Sequence, residues 1–197
     1  MELMERYAQL KAKVVQRREA FCTLMAYIEQ ETAYLTAPAS TRYHLCRERG
    51  LLEHSVNVAE HLLKIKAVLA PEIRDESCVV VALLHDLGKA GMPGVPQYLR
   101  NEPTSGQGKE RHSPHTPYRF NHDLLYLSVP IRGLYLAASR FPLTEEEVQA
   151  IVYHDGQYVA DNRSVATHEE KLTLLLQYAD NWSGFITEKE CVRWYGV

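Results

Sequence analysis

Six residues of this 197-residue chain set a chemically active side chain in apolar surroundings that should exclude it. His54 lies in "GLLEHSV", His85 and Asp86 in "ALLHDLG", His122 in "FNHDLL", His154 in "AIVYHDG" and Asp180 in "LLLQYAD". Burying an unpartnered carboxylate or imidazole costs several kcal/mol or shifts its pKa. The sharpest case is "VVVALLHDLGK", where six apolar residues, Val79 to Leu84, run straight into His85 and Asp86. Imidazole and carboxylate are good ligands for zinc, manganese, iron or cobalt, and buried charges commonly occur where they coordinate metal. One shared cation would resolve every one of these conflicts. Hydrogen-bonded core residues, helix caps and dipole partners are the plainer alternatives. They account for single residues and not for the set.

Almost every periodic segment that must position these residues reads as helix. At the N-terminus Leu3, Tyr7, Leu10 and Val14, then Phe21, Leu24 and Ile28, recur three and four apart, which fits two helices or one bent one. "GLLEHSVNVAEHLLKIKAVL" carries His54 one turn in. The three valines of "DESCVVVALLHDLGK" also suit a buried strand, but its length favours a helix with Asp75 as N-cap and Gly88 as stop. A further helix is expected from His122, kinked or broken at Pro130. Capping boxes at Thr144/Glu147 and Thr167/Glu170 open the helices that lead to His154 and Asp180. Between Gly91 and Asn121 five of the nine prolines mark a long irregular loop with room for a short hairpin. The expected architecture is an all-α bundle. Residues 1–35 form an N-terminal helical extension packed on the core, 36–184 the main domain and 185–197 a tail.

The bulk numbers are those of an ordinary globular domain, with 46% hydrophobic and 24% charged residues and a formal charge of -3. Nothing in that balance predicts nucleic-acid binding. The four cysteines, Cys22, Cys46, Cys78 and Cys191, are widely spaced and read as free thiols in a reducing compartment. No segment suggests a signal peptide or a membrane span, so a cytoplasmic protein is expected.

In order along the chain, His54, the pair His85-Asp86 and the distant Asp180 resemble the H…HD…D signature of the HD superfamily of metal-dependent phosphohydrolases. "GLLEHSVNVAEHLL", "LLHDLGK", "LTEEEVQAIVYH" and "LLLQYADNWSG" each resemble the corresponding helices of bacterial HD proteins. "TAPASTRYHLCRERGLLEHS" further resembles the subgroup that includes an HD-type 3′→5′ exoribonuclease. The resemblance implies an HD-domain helical bundle and divalent metal ions, two in number, drawn from Fe, Mn, Zn, Co, Ni or Mg. It assigns His54, His85, Asp86 and Asp180 to the first ion. Asp86 would bridge to a second ion held by His122 and His154, with a hydroxide clamped between the two. Lys89, one helical turn after Asp86, would contact a phosphate oxygen; otherwise it caps its own helix. Asp123 and Asp155 read as caps or exposed residues.

Around this centre, "GKERHSPHTPYRFNH" supplies Lys109, Arg111, His112, His115 and Arg119 as phosphate-attracting candidates. Arg119, three residues before His122, leads them. His44 reads as a substrate-binding residue behind the ligands, while His61 and His168 carry no metal role. The leading function is hydrolysis of a phosphomonoester or phosphodiester, with Asp86 and Lys89 as catalytic residues. A phosphorylated small molecule, nucleotide or short oligonucleotide is the expected partner. Long nucleic acid is a poor substrate, because the N-terminal segment is helical where the exoribonucleases carry an OB domain. No membrane is expected. Two other functions remain open on the same scaffold: a di-iron oxygenase and a non-catalytic nucleotide sensor. The N-terminal helices can pack on their own domain or build a homo-oligomer.

Overall fold

A computed structural model of the chain describes residues 1–101 and 116–188. The fold is all-α, as the periodicity predicts. Two N-terminal helices, α1 (Leu3–Ala12) and α2 (Arg18–Glu31), precede the long α3 (Gly50–Leu69) and the short apolar α4 (Asp75–Leu84). A 3-10 turn, Leu87–Ala90, follows α4. Strands β1 (Tyr98–Arg100) and β2 (Tyr118–Phe120) then pair antiparallel, with Leu99 opposite Arg119. The hairpin therefore exists inside the proline-rich stretch. Helices α5 (Val129–Ala138), α6 (Glu145–Val152) and α7 (Lys171–Trp182) complete the fold, and a π-type turn, Ser183–Thr187, extends α7.

Helix α3 packs against α4 and α7, α6 packs on α4 and α7, and α1 lies on α3. Valines 79–81 and Leu83 are fully buried, so the apolar run of α4 fills the centre of the bundle. Tyr7, Leu10, Val14, Phe21, Leu24, Met25 and Ile28 belong to the same continuous core, with Phe21 edge-on to Phe141 at 5.6 Å. One residue between α1 and α2 ties that pair down. Arg17 bonds Glu76 at 2.7 Å and Glu147 at 2.6 and 2.8 Å, and both carboxylates are buried. The second oxygen of Glu76 accepts the backbone N–H groups of Val15 and Gln16.

Several local expectations change. Asp75 is the first residue of α4 and not its N-cap; Arg74 takes that place, and the Asp75 carboxylate turns to Lys66 at 2.9 Å. Gly88 does not end a helix in the left-handed conformation. A Cβ on it would lie 2.1 Å from the Val129 carbonyl oxygen, so glycine is required for the close approach of α5 to the 3-10 turn. Helix α5 starts at Val129 and not at His122. Pro130 stands in its first turn, where a missing N–H is tolerated, so it opens the helix and does not kink it. Ahead of it, Asn121 builds a turn by accepting from the Asp123 N–H and donating to the Pro96 carbonyl. The Thr144/Glu147 box forms as expected. The Thr167/Glu170 box does not: Thr167 has φ +70°, and α7 is capped from α6, where Gln149 Oε1 accepts from the Glu170 N–H at 2.7 Å and the Thr173 hydroxyl at 2.8 Å.

Removing Arg17 strands two buried carboxylates, a loss of about 3–5 kcal/mol for a broken buried ion pair. Arg17→Ala should lower unfolding stability by that order in chemical denaturation, while Lys171→Ala, in an exposed pair, leaves the midpoint in place. Burial pushes the Glu76 carboxyl up, but Arg17 and the two backbone donors outweigh it and hold its pKa below the ordinary range. The stabilisation it supplies is therefore complete above the ordinary glutamate pKa and fades as pH falls below it.

Candidate metal centre

The helix ends decide how the site is built. The last four carbonyls of an α-helix lack intrahelical partners. At the end of α4 the Nδ1–H of His85 donates to the Ala82 carbonyl at 2.8 Å, and the Tyr34 hydroxyl donates to the Leu83 carbonyl at 2.9 Å. At the end of α6 the Nδ1–H of His154 donates to the Ile151 carbonyl at 2.8 Å. Each ring thus caps its own helix three residues back. The cap fixes the tautomer of the neutral ring and directs Nε2, the nitrogen that either a proton or a metal can take, into the bundle. His54, inside α3, reaches the same state differently, with Nδ1 2.9 Å from the carboxylate of Glu188.

These Nε2 atoms converge. His54 Nε2 lies 3.3 Å from His85 Nε2 and 3.0 Å from Asp180 Oδ1. The two oxygens of Asp86 face different rings. Oδ2 is 3.6 Å from His54 and 3.5 Å from His85, whereas Oδ1 is 3.5 Å from His154. Together with His44, the rings make an unbroken row of four imidazoles with centroids 4.7, 5.3 and 4.9 Å apart. Among the described residues, three groups of potential ligands each lie within 4.8 Å: His54, His85 and Asp86; His85, His154 and Asp180; and, on the Nδ1 side of His54, His44, His54 and Glu188. Three inward imidazole lone pairs beside two carboxylates repel one another unless a positive charge stands among them. That is the donor set a divalent cation takes. Five of the six expected ligands are thus gathered.

The sixth is not. His122 is exposed in the turn before α5 and belongs to none of the described ligand groups. Arg119 is half-buried on β2. Lys109, Arg111, His112 and His115 lie outside the described residues. Lys89 does not cap its helix; its ammonium is 2.5 Å from Asp86 Oδ2. With side chains 19%, 21% and 20% exposed, Lys89, Asp180 and His44 form the rim of a centre otherwise closed to solvent. His44 stacks beside His54, and its Nε2 is buried without a hydrogen-bond partner, 3.8 Å from Glu188. Asp155, half-exposed, stands 3.7 Å from His154, and Asp123 is exposed. His61 bonds the Ser183 hydroxyl at 2.8 Å and His168 is exposed.

The charges are strongly linked. Burial disfavours a charged His54, but the carboxylates of Asp180 and Glu188 outweigh it and raise the ring to about 10. His154 rises to about 9 against burial through Asp86 and Asp155. Burial pushes His85 and His44 down to about 4. Burial also opposes the charged forms of Asp86 and Asp180, yet both are held well below the usual carboxylate range, Asp86 by Lys89 and the rings around it, Asp180 by His54. A proton and a divalent cation thus compete for the same lone pairs.

Glu188 is the residue that sequence reasoning missed. It follows the expected domain end at Gly184, in a segment with no motif, and only its buried contact with α3 reveals it. Added Mn²⁺ should raise Tm in a concentration-dependent way, by about 2.7 kcal/mol of stability at a hundred times its Kd. The shift should vanish in Asp86→Ala and persist in His61→Ala, as read by thermal unfolding.

A family model described as the HD domain matches residues 51–181, which span every gathered candidate ligand from His54 to Asp180. No curated protein and no solved structure matches the chain.

Proposed function

The chain belongs to the HD domain family, and from that premise we propose that it is a metal-dependent phosphohydrolase acting on a phosphomonoester or phosphodiester. The observation that carries this reading is the pairing of the converged imidazoles and carboxylates with one accessible ammonium, Lys89, at their rim. Divalent cations, when bound, lower the pKa of water and neutralise a phosphoryl group under attack. The chain's own residues do the rest. His54, His85, Asp86 and Asp180 supply the first set of ligands. Asp86 is suited to bridging, since Oδ1 faces His154 while Oδ2 faces His54 and His85. Lys89 directs a positive charge toward the side from which an anionic substrate must enter. Attracting a phosphate oxygen would draw the ammonium from Asp86 and leave that carboxylate to its cation.

A nucleotide or short oligonucleotide is the substrate class we favour. The likeness of the segment around His44 to the exoribonuclease subgroup supports it, and so does a formal charge of -3, which disfavours long nucleic acid. His44 and Arg119 then flank the substrate. A second ion, held by Asp86 and His154, needs His122 to move in from its exposed turn and so binds more weakly than the first.

The test is a phosphatase and phosphodiesterase panel with Mn²⁺, run with metal analysis. Lys89→Met should keep its metal and lose about 10²-fold in kcat, the cost of removing one preorganised donor to the developing charge. Asp86→Ala should lose both metal and activity. In a metal titration, His122→Ala should remove only the weaker ion. Oxygen consumption without phosphate release would point to the oxygenase instead. Nucleotide binding without turnover would point to the sensor.

A further inference from the structure

His54 differs from the other two inward-facing rings in where it sits. His85 and His154 stand at helix ends, where a free carbonyl accepts their Nδ1–H. His54 lies inside α3, and there the carbonyls one turn back already accept backbone N–H groups. It needs an acceptor from elsewhere, and Glu188 supplies one. The π-type turn Ser183–Thr187 delivers it, closed by the Glu188 N–H donating to the Ser183 carbonyl at 3.0 Å. Such wide turns occur frequently at functional sites.

The contacts beyond Glu188 fix its orientation. Oε2 lies 2.9 Å from His54 Nδ1, and Oε1 accepts from Asn57 Nδ2 at 2.8 Å. Asn57 Oδ1 in turn accepts from Arg6 Nη2 at 2.7 Å. Arg6, on α1, is held by Glu60 through two bonds of 2.8 Å. Guanidinium only donates and carboxylate only accepts, so each group in the row has one possible direction. Asn57 turns its oxygen to Arg6 and its NH₂ to Glu188, and the proton of a neutral His54 sits on Nδ1.

We infer that Glu188 is a positioning residue for His54 and that Arg6 and Asn57 position Glu188 in turn. The row Arg6, Asn57, Glu188, His54 links the N-terminal helix and the segment after α7 to one metal ligand. Arg6 and Glu188 both lie outside the family match at 51–181. A carboxylate on the far nitrogen also makes the ring a stronger ligand. This inference rests on the metal reading of the site.

The test measures Co²⁺ affinity by chelator competition and reads the His54 tautomer by ¹⁵N NMR of the full chain, with Zn²⁺ bound or, without metal, above the ring's pKa of about 10, where it is neutral. Glu188→Ala should weaken Co²⁺ about 10–100-fold and lose the Nδ1–H preference of His54 while His85 and His154 keep theirs. Glu188→Gln is isosteric and keeps an accepting oxygen, so it should fall between wild type and Glu188→Ala. It also serves as the test if Glu188→Ala does not fold. Arg6→Met should weaken Co²⁺ less, with no further effect in the Glu188→Ala background. Wild-type affinity and an unchanged His54 tautomer in the Glu188 variants would overturn the inference. A wild type that takes up no Co²⁺ overturns the metal reading instead, and the tautomer spectra alone then decide the role of Glu188.

Discussion

The structure depends on where three imidazoles put their second nitrogen. Each of His54, His85 and His154 commits Nδ1 to an acceptor outside the centre, so each Nε2 lone pair faces Asp86 or Asp180. Two of those lone pairs approach to 3.3 Å. In a buried setting such an arrangement needs positive charge between its members. Lys89 supplies one such charge from the side, protons on His54 and His154 supply it in the metal-free state, and a divalent cation would serve all the donors together.

The fold serves this constraint through helix ends. Helix α4 is apolar enough to occupy the middle of the bundle, so its C-terminus arrives at the centre with unpaired carbonyls. His85 satisfies one of them, and the same side chain turns its Nε2 to the centre. Helix α6 repeats the device with His154. Capping and coordination are therefore one arrangement of the ring and not rival explanations. Around it, Arg17 joins α4 to α6 through Glu76 and Glu147. The glycine contact between the 3-10 turn and α5 brings the segment bearing Lys89 close to its neighbour.

Much of the centre was legible because the sequence places polar types where apolar ones belong. His54, His85, Asp86, His154 and Asp180 all stand against long apolar runs, and all five meet. His122 gave the same signal, yet Pro130 in the first turn of α5 and the turn built by Asn121 leave it exposed ahead of the helix. The failed box at Thr167/Glu170 was locally well formed, but a contact from α6 replaced it. Gly88 read as a stop signal and proved to be a contact surface. Glu188 carried no signal at all. It is an ordinary glutamate in a mixed segment, and its role comes from a wide turn and a partner 134 positions away. Local pattern reports burial conflicts well; it cannot report which distant group resolves them.

The most direct measurement is an anomalous difference map from crystals soaked in MnCl₂. If these side chains share a cation, the strongest peak lies within about 2.5 Å of the Nε2 atoms of His54 and His85 and the carboxylates of Asp86 and Asp180. A soaked crystal with no peak among these side chains, or with its strongest peak elsewhere on the molecule, would contradict it.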